Sequence, residues 1–228
     1  MKQYSKEVLD NVKTVANQRP LPADHKNYLF KIKNQYEFIP KTIYDIGSCV
    51  LHWASEAQNT WQESKIILFD ATDIFEELYI EKQYTYNICV LSNEDNKIVN
   101  FYQNNNMFAG NSYYRENPKH SPAAQHLFDD SKIVKLKTKT LDSIVNLFNY
   151  DLPDLIKIDV QGAELDVLMG AKQSLQNCKH LIVELRSVEY NIGSPEKEVI
   201  IEYLASQGFK NMGMFSNNGP DGDYHFMR

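Results

Sequence analysis

Residues 153–171 read PDLIKIDVQGAELDVLMGA, an apolar run that enters an acidic turn and then a helical pattern. A strand feeding a helix through a tight turn is the repeating unit of an open α/β sheet, and the carboxyl end of the strand is where such sheets display polar groups. The run 155–160 is short and β-branched, as suits a strand covered on both faces, but Lys157 and Asp159 interrupt it. Side chains alternate along a strand, so Lys157 and Asp159 share one face while Ile156, Ile158 and Val160 take the other. Two opposite charges on a sheet face call for a reason. Gly162 permits the turn, and Leu165, Leu168, Met169 and Leu175 recur at helical spacing, which predicts one helix with Gly170 tolerated near its middle.

The same segment carries the pattern hydrophobic-hydrophobic-Lys-hydrophobic-Asp-Val-x-Gly-Ala-Glu-x-x-x-hydrophobic-x-Gly-Ala. It resembles the hallmark of the FkbM-type methyltransferases, which use S-adenosylmethionine and mostly methylate hydroxyls of sugars and natural products. Gln161 stands where that family usually has Glu, which removes one carboxylate. Thr140-Leu141-Asp142 is similar to the Thr-Leu-Asp that precedes the family's central strand, and the resemblance runs over roughly 42–209. It implies an α/β, Rossmann-like class I methyltransferase fold with a mostly parallel seven-stranded sheet, helices on both faces and a closing antiparallel hairpin. It further implies S-adenosylmethionine as cofactor and, as acceptor, a hydroxyl of a sugar, glycan or glycosylated metabolite.

Elsewhere the chain alternates strand-like and helix-like segments, with strands expected at 43–46, 66–69, 87–91, 155–160 and 181–185, a helix at 195–206 and a last strand at 223–227. Such alternation means βαβ units and a largely parallel sheet. Residues 1–18 have helical character, with Val8, Val12 and Val15 near one face, until Arg19-Pro20-Leu21-Pro22 breaks the pattern. We read 1–38 as an accessory helical segment, a lid or dimer contact, and 39–228 as the catalytic domain. The polar span 103–131, rich in Asn, Tyr and His, is too long for an ordinary connection and reads as a substrate-covering insertion in preference to a disordered loop. At 228 residues the chain suits one domain, burying roughly 70–75% of its unfolded surface. Its net charge of −6 argues against a nucleic-acid partner. No apolar stretch approaches the roughly 20 residues of a membrane span, and the polar start lacks a signal-peptide core, so a cytoplasmic location is expected. Cys49, Cys89 and Cys178 lack paired spacing and read as reduced thiols, and no histidine has zinc-site spacing.

Candidate site residues follow from strand ends. The run 42–49, TIYDIGSC, ends a strand with Asp45 and then Gly47 and Ser48, where backbone must pass close to a ligand; a strand ending in Asp-x-Gly is also a common structural turn. The related motif in the family is Asp-Val-Gly-Ala-Asn-x-Gly, so Cys49 and Leu51 replace its Asn and second Gly. Asp70, followed by Ala71, closes the next strand at the roughly 20-residue spacing used for ribose recognition, with helix capping as the alternative. Ser92, after the third strand, is placed beside the adenine by the resemblance. Asp159 is the first choice for the reacting edge, Glu184 sits likewise in the adjoining strand, and Lys157 is placed to neutralise either. Such a carboxylate pair could hold a divalent cation, Mg or Mn, or provide a base; a structural Lys157–Glu184 ion pair is the alternative. Glu164 is assigned to helix-dipole stabilisation, while Tyr113 and Tyr114 are candidates for stacking on a sugar ring. A nicotinamide-dependent oxidoreductase is disfavoured because Gly-x-Gly-x-x-Gly is absent after Asp45. A binding module that has lost catalysis is the other reading, prompted by Cys49, Leu51 and Gln161.

Overall fold

The structure, a computed structural model, describes residues 4–18 and 21–228; the predicted helix start at Met1 and the Arg19-Pro20 break lie outside them. In chain order the elements are α1 Lys6–Gln18, α2 Ala23–Gln35, β1 Thr42–Ile46, α3 His52–Thr60, β2 Lys65–Asp70, α4 Glu76–Glu81, β3 Thr85–Ile88, β4 Val90–Leu91, β5 Ile98–Tyr102, α5 Ala124–Leu127, β6 Ile133–Lys139, α6 Leu141–Phe148, β7 Leu155–Ile158, α7 Glu164–Met169, α8 Lys172–Asn177, β8 His180–Arg186, α9 Lys197–Ser206, β9 Lys210–Asn217 and β10 Asp221–Met227. A seven-stranded sheet has the order β3-β2-β1-β7-β8-β10-β9. β1 pairs in parallel with both β2 and β7, β7 with β8, and only β10 runs antiparallel to its neighbours. This is the expected Rossmann-like architecture with its closing hairpin. Because β1 to β3 build one half outward and β7 to β8 the other, strand order reverses between β1 and β7, and the crevice for a ligand opens beyond their carboxyl ends.

The strands at this junction are fully buried, with Ile43, Tyr44, Leu155 and Ile156 at 0% exposure. One apolar cluster covers one face of the sheet through Tyr44, Ile156, Val167, Leu168, Leu181 and Val183. A second covers the other through Ile43, Trp53, Ile66, Leu68, Leu155 and Ile182. Burial of these side chains, each contributing about 1.5–3 kcal/mol, fixes the strand ends that carry the polar groups.

Several expectations change. The strand expected at 87–91 is divided at Cys89: β3 belongs to the large sheet, while β4 leaves it to join a three-stranded sheet of order β4-β6-β5. The helix expected after β7 is also divided, into α7 and α8. Gly170 is the reason: it ends α7, and a Cβ there would lie 2.2 Å from the carbonyl oxygen of Ser92, so the helix end packs directly on the backbone after β4. The segment 1–38 is less separate than expected. Val12, Leu29 and Ile32, at 3%, 1% and 0% exposure, belong to the second core cluster. Its second helix escaped the sequence reading because Lys, Asn and Asp fill six of the thirteen positions of ADHKNYLFKIKNQ; only His25, Leu29 and Ile32 are buried. The span 103–131 is a folded wall, with Phe108 and Phe128 buried and the Asn104 side chain bonded to the backbone of Leu127, Asn106 and Met107. No described helix is long and apolar enough to cross a membrane.

Candidate functional site

The floor of the site is made where three strand ends touch. The amides of Gly47 and Ser48 donate to the carbonyl of Phe69 at 2.9 and 3.3 Å, and the Asp159 amide donates to Ile46 O at 3.0 Å. Gly47 has φ +78°, and a Cβ on it would lie 1.8 Å from the Asp159 carbonyl oxygen. The close approach that requires glycine is therefore to the end of β7; the expectation that Gly47 makes room for a ligand is corrected in that respect. Cys49 and Leu51, at φ 46° and 69°, are also left-handed. Asn and Gly tolerate that conformation best, and they are the residues the related motif carries at these positions.

Asp70 ties this turn to the next. One carboxylate oxygen accepts from the Cys49 amide at 2.9 Å, and the other accepts from the amide and hydroxyl of Thr72, both at 3.0 Å. Burial pushes its pKa up against those bonds. These bonds go to the turn ahead of the helix, whose N-cap positions are Thr72 and Phe75 without a side-chain cap, so Asp70 ties turns together and does not cap the helix, and it also has a place in the cavity wall.

A charged group lies on the β7 side. Lys157 Nζ contacts Asp45 at 3.5 Å and Asp159 at 3.4 Å, and donates to Gly47 O at 3.1 Å. The Lys157–Glu184 pair considered from sequence does not form; the cation of Glu184 is Arg186, 2.5 Å away. Burial works against the Lys157 charge, but Asp159 and Asp45 outweigh it and hold its pKa above the ordinary lysine range. For Asp159 burial is likewise opposed, by Lys157, Arg186 and the Gln161 amide, and the carboxyl is held below its usual range. Burial and the neighbouring Asp159 push Glu184 well up, against the pull of Arg186. Asp45, fully enclosed, is pushed up to about 6 by burial, with Lys157 opposing. Gln161, left-handed at φ 57°, donates from Nε2 to Asp159 at 2.8 Å and to Glu184 at 3.1 Å. Glu164 does more than favour the helix dipole: its Oε1 accepts from the amides of Val160 and Gly162, both at 3.1 Å, and so holds the turn, with Arg186 3.4 Å away.

Above this floor is a cavity of about 640 Å³, within the usual range for ligand sites. Of the residues picked from sequence, Gly47, Ser48, Asp70, Ala71, Lys157, Asp159 and Glu184 line it. Asp45 does not: it lies beneath the wall at 0% exposure, because the inward face of β1 is covered by Lys157. Ser92 also falls behind the wall, under the hydroxyl of Tyr113. Tyr113 reaches the cavity and Tyr114 does not; both hydroxyls donate to Asp166 at 2.9 Å, which fixes the Tyr113 ring as wall. The divalent cation expected between Asp159 and Glu184 finds no support. Among the described residues no group of three or more His, Cys, Asp or Glu is arranged to hold one, and Gln161, Lys157 and Arg186 already engage those carboxylates.

Sequence reasoning missed His25 and Asp223. Both line the cavity, with His25 Nε2 2.9 Å from Asp223 Oδ2. The available signal was slight: one histidine in the first turn of α2, and an acid whose register partner across the sheet is Glu184.

Comparison with known proteins agrees with this fold. The family described as "Methyltransferase FkbM domain" matches residues 33–210. No curated protein matches the chain in sequence. Among solved structures, a methyltransferase FkbM from Methylobacillus flagellatus KT is similar with a TM-score of 0.55 and 11% identity, over 97% of this chain and 59% of that one. Human N-acetylserotonin methyltransferase, in complex with SAM, gives 0.51 and 10%, over 97% and 56%. A putative O-methyltransferase from Klebsiella pneumoniae gives 0.50 and 10%, over 99% and 90%. At these identities the likeness is one of fold, and the chain spans less than two thirds of the first two proteins.

Proposed function

This chain belongs to the FkbM methyltransferases, and from that premise we propose that it transfers a methyl group from S-adenosylmethionine to a hydroxyl of a sugar, glycan or glycosylated metabolite. The observation that carries the reading is the cavity at the β1–β7 reversal, which is lined together by the glycine turn, Asp70 and the apolar residues Ala71, Phe75, Leu91, Phe101 and Phe108. That donor set fits the cofactor. Asp70 can accept from the paired ribose hydroxyls, the apolar residues suit a flat base, and Asn111, which lines the same cavity, offers a buried Nδ2 with no partner. The Gly47–Ser48 backbone borders the part of the cavity nearest Lys157 and Asp159.

When bound, the cofactor supplies a methyl group made electrophilic by a sulfonium. The protein's share is to align the acceptor oxygen, exclude water and accept a proton; alignment supplies most of the acceleration. Asp159, Glu184 and Lys157 are assigned to the reacting edge, where the ionised Asp159 orients an acceptor hydroxyl and Lys157 keeps that charge in place. The buried Phe75, Phe101 and Phe108 help to exclude water. The sugar acceptor rests on the family resemblance. The test is release of S-adenosylhomocysteine over a panel of mono- and oligosaccharides, with and without chelator. Turnover of a hydroxyl acceptor that chelator does not change supports the reading; methylation confined to nitrogen or carbon acceptors would refute the O-transfer assignment.

A further inference from the structure

Proton uptake is best served by a carboxylate oxygen that no donor of the protein already engages. Asp70 has both oxygens bonded within its turn. Asp159 has one oxygen taken by Gln161 and the other by Lys157. Glu184 engages Arg186 and Gln161 through Oε2 alone, but burial beside Asp159 favours its protonated form, which cannot take up a second proton. Asp223 differs. It lines the same cavity, opposite Glu184 in the β10–β8 register, and its Oδ2 meets His25 Nε2 at 2.9 Å. Its Oδ1 has no hydrogen bond among the described residues.

We propose that Asp223, held by His25, takes up the proton of the acceptor hydroxyl. The proposal rests on the methyl-transfer reading and adds to it the residue that completes the chemistry. In the step, the O–H bond breaks and its electron pair stays with the oxygen as that oxygen gains the methyl; the proton ends on Asp223 Oδ1, and the leaving group is a neutral thioether. His25 is a positioning residue. His25 Nε2 lies 2.9 Å from Asp223 Oδ2, and His25 Nδ1 is buried without a partner, so the ring's one bond is the one that fixes Oδ2 and leaves Oδ1 for the acceptor. His25 lies on α2, and the segment read from sequence as accessory thus contributes to the reacting edge. The stacking of Tyr28 on Phe215 at 4.0 Å and the edge contact of His25 with Phe215 at 5.2 Å lock that helix to β9 beside Asp223.

An acceptor-independent probe tests this. Sinefungin carries a protonated amine where the cofactor carries its reactive methyl, so the ratio of its affinity to that of S-adenosylhomocysteine, both by calorimetry, reads the charge facing the transferred group. Asp223→Asn is expected to lower that ratio about 10- to 100-fold while leaving the affinity for S-adenosylhomocysteine within about twofold. His25→Ala should lower the ratio and His25→Gln, which can still donate to Oδ2, should restore it. A ratio within twofold of wild type in folded Asp223→Asn, or equal ratios in His25→Ala and His25→Gln, overturns the proposal. Failure of wild type to bind either compound overturns the methyl-transfer reading itself, a distinguishable result.

Discussion

Replacing Gly47 by alanine isolates the contact on which the site's floor is built. Two costs are involved. At φ +78° a side chain enters the left-handed region, at about 1–2 kcal/mol. The added Cβ would also stand 1.8 Å from the Asp159 carbonyl oxygen, a backbone atom that cannot swing aside, and relieving such an overlap by backbone shifts costs about 1–3 kcal/mol. Gly193 provides the control, since it has the same φ of +78° and nothing within 4 Å of an added Cβ. Both substitutions reduce unfolded-chain entropy alike, so the difference between them is the cost of the clash. Urea unfolding should show Gly193→Ala losing at most about 2 kcal/mol and Gly47→Ala losing about 1–3 kcal/mol more. Calorimetry on the folded variants should show weakened S-adenosylmethionine binding for Gly47→Ala alone, because separating β1 from β7 moves Lys157, which holds both. Equal losses in the two variants would refute the reasoning that these strand ends press together.

Asp70→Asn removes the charge assigned to ribose recognition and should weaken cofactor binding by about 1.5–3 kcal/mol, or about ten- to a hundredfold in Kd; unchanged affinity would leave Asp70 a turn residue only. Gln161→Glu replaces the amide that bridges Asp159 and Glu184 with a third carboxylate, so denaturation at pH 7 should show a loss of about 1–3 kcal/mol that shrinks as pH falls. His180 and His225 stack and share a 2.9 Å hydrogen bond, with Tyr28 3.0 Å from the far nitrogen of His225. Burial, followed by nearby positive groups, lowers their pKa values to about 4 and about 3. The unfolded chain binds their protons near 6.5, so stability should fall as pH drops from about 6.5 toward about 4, and the contribution of this pair to the slope should vanish below about 3. A His225→Phe variant with an undiminished slope in pH-dependent urea melts would contradict this.

What was legible in the sequence was the part that local chemistry dictates. The β-branched runs of β1, β2, β7 and β8 can only be buried strands, and the acids that end them fall at one edge because parallel strands in βαβ units all point the same way. The turn residues Gly47 and Gly162 were visible for the same reason. What escaped was fixed by distant partners. Gly170 ends its helix because the Ser92 carbonyl lies against it, a contact between residues far apart in sequence. Lys157 pairs with Asp45 and Asp159, leaving Glu184 to Arg186, because strand order places β1 on one side of β7 and β8 on the other. Asp45 and Ser92 hold the polar types expected of a cofactor contact, but Lys157 and Tyr113 stand in front of them. His25 and Asp223 meet across nearly the whole chain length, and neither belongs to a local motif.

The central proposal is that the cavity at the β1–β7 reversal receives S-adenosylmethionine. Isothermal calorimetry of the wild-type chain with S-adenosylmethionine tests this most directly: the expected result is saturable binding at one site per chain, weakened by Asp70→Asn. Absence of binding at millimolar cofactor, in protein that unfolds cooperatively, would contradict it.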